Sequence, residues 1–141
     1  VITSDHTSKL ETKKFQNQIG KYRVPLIIFS PGESLGEMNT QKVTQHSDIP
    51  KTILDLAGVD GGEMPATGVS ILSGDVGYAL NYADGQDYLF VSKDEVIRLT
   101  KNGVQESYVY DWETGEATTP IANEDLILKA YIQYFQNGLI S

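Results

Sequence analysis

Tyr22-Arg23-Val24-Pro25-Leu26-Ile27-Ile28-Phe29-Ser30-Pro31-Gly32 is the stretch on which the fold class turns. From Val24 to Phe29 it is apolar without interruption, rich in β-branched residues and ended by an aromatic. That is the pattern of a strand covered on both faces, hence of an α/β sheet. Pro25 stands at its start, where a missing N–H is tolerated, and Pro31-Gly32 supplies the turn that ends it. Upstream, Val1-Ile2-Thr3 reads as the end of a second buried strand already under way, which predicts a fragment of a longer protein. A polar stretch from Ser4 to Gly20 joins the two.

Downstream of the turn, residues 33–45 are polar and read as loop. Ser47 or Asp48 is the expected N-cap of a helix with Pro50 in its first turn. Ile49, Ile53, Leu54, Leu56 and Ala57 form its expected apolar side, and Gly58 its stop. A Gly-rich connector then leads to a change of period. Tyr78, Leu80 and Tyr82 alternate, and strands are predicted again at Tyr88–Val91, Glu95–Thr100 and Gln105–Tyr110. Lys101-Asn102-Gly103 predicts a type I′ hairpin between the last two. A final helix is expected from an Asn123 cap to Gly138. Its stripe of Ile127, Ala130, Tyr131 and Tyr134, flanked by Leu128 and Phe135, should pack on the antiparallel sheet. The division expected is 1–75, the C-terminal part of an α/β domain with a mixed sheet, and 76–141, a small antiparallel subdomain with a terminal helix.

Bulk properties narrow the function classes. With 141 residues, 40% of them hydrophobic, the chain is long enough for one packed core. Its formal charge of -8 argues against nucleic acid or an anionic membrane surface as a general partner. There are no cysteines, so disulfides and thiolate-ligated metals are excluded. No apolar run approaches the roughly 18 residues a membrane span needs.

Asp5-His6 is the pair that carries chemistry. A carboxylate and an imidazole both suit a divalent cation, zinc or manganese among them. Inside a strand adjacent side chains point to opposite faces, so convergence on one ion requires that the strand has ended and the chain is turning. Ser4-Asp5-His6-Thr7-Ser8 is such a place, and a plain loop or capping pair is the competing reading. His46, just before the helix, is either a ligand or substrate contact or simply a polar flanking residue. Lys9, Lys13, Lys14, Lys21 and Arg23 make the early loop basic. That loop either attracts an anionic ester, with Lys9 as a contact, or is merely solvated.

Three blocks stand in order: Val1-Ile2-Thr3-Ser4-Asp5-His6-Thr7-Ser8, then Tyr22 to Gly32, then Gln45-His46-Ser47-Asp48-Ile49-Pro50-Lys51-Thr52-Ile53-Leu54-Asp55-Leu56-Ala57-Gly58. Together they resemble the sulfatase and alkaline phosphatase superfamily: its Asp-His metal-ligand segment, its "Y-x-V-P-hydrophobic" strand and its "D-hydrophobic-x-P-T" helix. Tyr108 to Glu116 is similar to a hairpin of that family's C-terminal subdomain. Pro50 departs from the pattern by standing one position early, with Lys51 before Thr52. Within the superfamily the chain looks closest to the lipoteichoic acid synthase and phosphoglycerol transferase branch.

The resemblance implies a sulfatase-like hydrolase or phosphoglycerol-type transferase acting on sulfate or phosphate esters, a sulfated glycan or a phosphoglycerol lipid. Asp5 and His6 match its metal ligands. The metal would be manganese, zinc, magnesium or calcium. The nucleophile would lie in an N-terminal half outside this chain, so the chain alone is expected to be inactive. An extracytoplasmic site in a bacterium, periplasm or cell membrane, is implied as well. The rival reading is a non-catalytic module that binds a glycan or a partner chain through the aromatics Tyr78, Tyr82 and Tyr88.

Overall fold

The computed structural model describes residues 1–7, 11–32, 34–36, 38–60, 68–83, 86–122, 128–130 and 132–133. Five antiparallel strands form its main sheet: β3 (Tyr78–Ala83), β4 (Asp87–Ser92), β5 (Val96–Leu99), β6 (Gln105–Tyr108) and β7 (Ile121–Ala122), in that spatial order. A separate two-stranded ribbon pairs β1 (Ile2–Thr3) with β2 (Leu26–Ile27), and one helix, α1 (Asp48–Leu56), lies between ribbon and sheet in sequence. The fold is mixed α/β with a small antiparallel sheet, as the sequence predicts.

Period-two alternation decides how the main sheet is buried. Ala79, Ala83, Leu89, Val91 and Val96 point to one face, where Ile19 and Val43 from the preceding loops cover them with Tyr110. Leu80, Tyr88, Phe90, Ile97 and Leu99 point to the other, beneath Leu128 and Ile132. Both of these are buried and sit in helical segments, so the end of the chain does pack on the sheet. Its inward register differs from the expected one, because Ala130 is exposed while Leu128 and Ile132, four apart, face the core. Ile127, Tyr131, Tyr134 and Phe135, and the expected caps Asn123 and Gly138, lie outside the described residues.

The hairpin at Lys101-Asn102-Gly103 also differs in kind. Thr100 and Val104 are its closing pair, with Gly103 N–H donating to Thr100 O and Gly103 at φ +78°. This is a three-residue loop ending on a left-handed glycine, not the two-residue type I′ turn.

The apolar run at Val24–Phe29 yields only the short β2. Its partner β1 is antiparallel (Ile2 opposite Ile27, Thr3 opposite Leu26). No other described strand pairs with the ribbon, so Ile2, Ile27 and Phe29 are 68%, 54% and 76% exposed. The expectation of strands buried on both faces is therefore not met within this chain.

Helix α1 is capped at its C-terminus as predicted. Gly58, at φ +64°, donates to Asp55 O while Val59 donates to Leu54 O, the paired bonds of a Schellman motif. At the other end Ser47 makes no side-chain cap. The buried positions are not apolar either: Asp48 and Thr52 are 3% and 1% exposed, whereas Ile53 is 46% exposed. Asp48 accepts from the N–H groups of Gln45 (2.9 Å) and Val69 (2.8 Å). The Thr52 hydroxyl donates to Asp48 O and accepts from Ile71 N–H. Two polar side chains one helical turn apart thus clamp the returning segment 69–71 to α1.

Asn17 joins the early loop to the sheet subdomain. Its carboxamide oxygen accepts from Ile19 and Gly20 N–H, and its NH2 donates to Gly115 O at 3.0 Å. Gly20 is demanded by space, since a Cβ there would stand 1.8 Å from Lys14 O. Gly20→Ala is expected to cost about 2–3 kcal/mol in urea denaturation, as overpacking does. The same change at Gly74, where a Cβ would meet nothing within 4 Å, should be near neutral.

Candidate functional site

β1 ends at Thr3, and Asp5 and His6 sit in the bend that follows, where the chain turns as the sequence requires. Three hydrogen bonds fix this bend. Ser4 Oγ donates to His6 O at 2.6 Å, Thr7 Oγ1 donates to Lys21 O at 2.6 Å, and His46 Nε2 donates to Ser4 O at 2.9 Å. The β1–β2 ladder and the Thr3 hydroxyl, bonded to Pro25 O at 2.9 Å, anchor its upstream side.

So held, Asp5 Oδ1 and His6 Nε2 come within 3.6 Å of each other, with side chains 88% and 80% exposed. His6 Nδ1 lies 3.0 Å from Thr7 O. A carbonyl only accepts, so Nδ1 carries a proton there, and in neutral imidazole the lone pair falls on Nε2, the atom beside Asp5. Thr7 O and then Asp5 raise the His6 pKa, with slight desolvation opposing.

This arrangement fits two ligands of one ion. Donors about 2.0–2.2 Å from a tetrahedral ion lie roughly 3.4 Å apart, and ligating histidines commonly give their other N–H to a carbonyl. The set is not closed. Among the described residues there is no group of three or more His, Cys, Asp or Glu side chains that could hold a metal. The expectation of a metal-binding chain is therefore corrected: the described residues bring two candidate donors together and no metal-binding cluster. The membrane placement implied by resemblance finds no support here either: among the described residues no helix is long and apolar enough to cross a membrane.

His46 comes from the far side of the polar loop, 40 residues along, yet its ring braces the Asp5–His6 bend through the Ser4 carbonyl. Nε2 is spent in that bond, leaving Nδ1. Lys9 lies outside the described residues. Three of the other basic residues stand over aromatics: Lys14 over Phe15, Lys21 over Tyr22, and Arg23 over both Phe15 and Trp112, 5.4 and 5.6 Å from their centroids. Neither the Arg23–Trp112 contact nor the Asn17–Gly115 tie was legible in the sequence, because the partners are 89 and 98 residues apart. For the Asp48 clamp a signal did exist: Asp and Thr four apart at the start of a helix, where polar side chains serve the backbone better than solvent does.

An α/β chain with this bend at the end of its first strand and an antiparallel subdomain behind it has the fold of an alkaline phosphatase-like domain. Residues 1–59 match the sulfatase family model. The fold is similar to a crystal structure of a protein in the alkaline phosphatase superfamily from Vibrio parahaemolyticus. That likeness has a TM-score of 0.72 at 18% identity and covers 96% of this chain but 35% of the other. No curated protein matches the chain. The first 59 residues thus match the sulfatase family, and the chain as a whole has the fold of an alkaline phosphatase-like domain.

Proposed function

We propose that this chain is the C-terminal part of an extracytoplasmic sulfatase-like hydrolase or phosphoglycerol-type transferase, in which Asp5 and His6 furnish two ligands of a divalent metal site completed elsewhere in the protein. The observation that carries this reading is the convergence of the Asp5 carboxylate and His6 Nε2, 3.6 Å apart at an exposed bend. The exposed apolar ribbon of Ile2, Ile27 and Phe29, in a chain spanning about a third of its structural relative, supports a cover from the rest of the protein. When bound, the ion would polarise the ester and stabilise the attacking group, which the family resemblance puts outside this chain. His46 and Ser4 hold the ligand bend in place, and the polar loop brings His46 there. The chain's likeness in sequence is to the phosphoglycerol transferase branch, and an anionic ester is the substrate class of this reading.

The rival glycan- or partner-binding platform would have part of its surface covered. Tyr88 and Phe90 pack beneath Leu128 and Ile132, although Tyr82 is 56% exposed.

The test is chelation of the full-length protein, followed by re-addition of manganese or zinc. Turnover would be followed with p-nitrophenyl phosphate, bis-p-nitrophenyl phosphate and p-nitrophenyl sulfate. Activity should vanish with chelator and return with one of the ions, and the preferred substrate would define the ester class. Turnover that ignores the chelator would sink the proposal.

A further inference from the structure

The ligand bend borders a cleft of about 520 Å³ whose walls belong to both halves of the chain. Thr3 and His46 line its end nearest the bend. Arg23, Trp112 and Lys93 are also among its lining residues. The charges around it run against the composition of the chain. Acids outnumber bases 19 to 11 overall, yet the cleft is lined by Arg23, Lys42 and Lys93 against a single carboxylate, Glu113. Cations gathered in a concave wall of a net-negative chain focus a positive field on the space they enclose.

The three cations differ in what they have left to offer. Lys42 Nζ is committed to Ser70 O, Ser73 O and Ser73 Oγ, so it contributes charge but no free donor. Among the described residues neither Arg23 nor Lys93 forms an ion pair. The Arg23 guanidinium is held between the Phe15 and Trp112 rings and has one long bond, 3.5 Å, to Trp112 O. Stacking fixes its plane while leaving most of its donors unused, which lowers the entropic cost of receiving an oxyanion. Trp112 in turn donates its indole N–H to Lys93 O at 2.9 Å and meets Tyr110 edge-on. Arg23, Trp112 and Lys93 are thereby one braced unit.

We propose that this cleft is a second anion subsite, which holds a further sulfate or phosphate group of a polyanionic ester while the first is presented at the Asp5–His6 bend. Arg23 and Lys93 are its binding residues, and Trp112 positions both. The inference rests on the ester reading for its substrate class, but the subsite itself needs no metal. A chain of repeating esters satisfies it, whether sulfated sugars or glycerol phosphates, because both offer oxyanions at intervals along one molecule.

Binding would be measured by calorimetry on the full-length protein in EDTA, with a disulfated disaccharide, a glycerol phosphate dimer and the singly charged counterpart of each. The two-anion ligand of the true class should bind more tightly than its one-anion counterpart, with an advantage that shrinks as salt rises. Arg23→Gln and Lys93→Gln should each weaken it about tenfold, as loss of a charge-assisted hydrogen bond does. Arg23→Lys should recover only part of that loss, since it keeps the charge but not the fork. Lys93→Gln, a change at an exposed position, carries the test should Arg23→Gln fail to fold. Equal affinity for one- and two-anion ligands, or an advantage that survives both Gln substitutions, would overturn the subsite. Because chelator is present throughout, that result is separate from failure of the metal-ester reading, which shows as turnover insensitive to chelation.

Discussion

Asp5→Asn and His6→Ala, each made in the full-length protein, are expected to lower ester turnover by about a hundredfold or more while leaving the urea midpoint unchanged. The separation follows from exposure. Both side chains stand in solvent and neither belongs to a hydrophobic cluster, so removing them opens no cavity. The bend beneath them is held by Ser4, Thr7 and His46, which the substitutions leave in place. Bound metal, measured by atomic emission after dialysis, should fall with turnover. Unchanged turnover and metal content would remove the pair from the site, and a large loss of stability would mean that it serves the fold instead. His46→Ala should show a milder form of the same defect, because it frees the Ser4 carbonyl and lets the bend move without deleting a donor.

Asp48→Ala should have the largest effect on stability, about 2–4 kcal/mol by urea denaturation. It leaves the Gln45 and Val69 N–H groups without their acceptor at a position shielded from water. Thr52→Val should cost less, since one donor, Ile71 N–H, loses its partner. The pH dependence has a definite sign. Burial raises the Asp48 pKa above its ordinary value, against the opposing pull of the Gln45 and Val69 amides and of Lys42. The folded state therefore binds the proton more tightly than the unfolded one. Stability contributed by this group is present below the unfolded pKa and is lost as pH rises through the folded value. Asp87, held low by Arg98, and Asp111, held low by the Thr114 and Glu113 amides, work in the opposite direction. Asp48→Asn should remove the Asp48 contribution alone, so the variant would gain stability more steeply than the parent as pH rises out of the acid range. A parallel pair of curves would show that Asp48 does not titrate in that window.

Both predictions concern side chains that the sequence marks plainly, and they separate what local pattern encodes from what it leaves open. The Asp-His pair after an apolar strand end, the glycine that stops α1 and the period-two strands of the second half are local. Each depends on backbone chemistry within a few residues, so each is legible in one dimension. The same holds for the resemblance to the sulfatase family, whose blocks are short and ordered along the chain. What only the tertiary structure decided is how these pieces meet. The apolar run at Val24–Phe29 encodes a strand for a buried sheet, but burial is a property of neighbours, and here a two-residue ribbon leaves Ile27 and Phe29 in solvent. Helix α1 looks amphipathic in sequence, yet its innermost residues are Asp48 and Thr52, because the segment returning at 69–71 brings backbone N–H groups that an apolar face could not satisfy. Arg23 and Trp112 lie 89 residues apart, and His46 and Ser4 lie 42 apart. No periodicity links such pairs. Chain reversal brings them together, and with them the cleft beside the ligand bend.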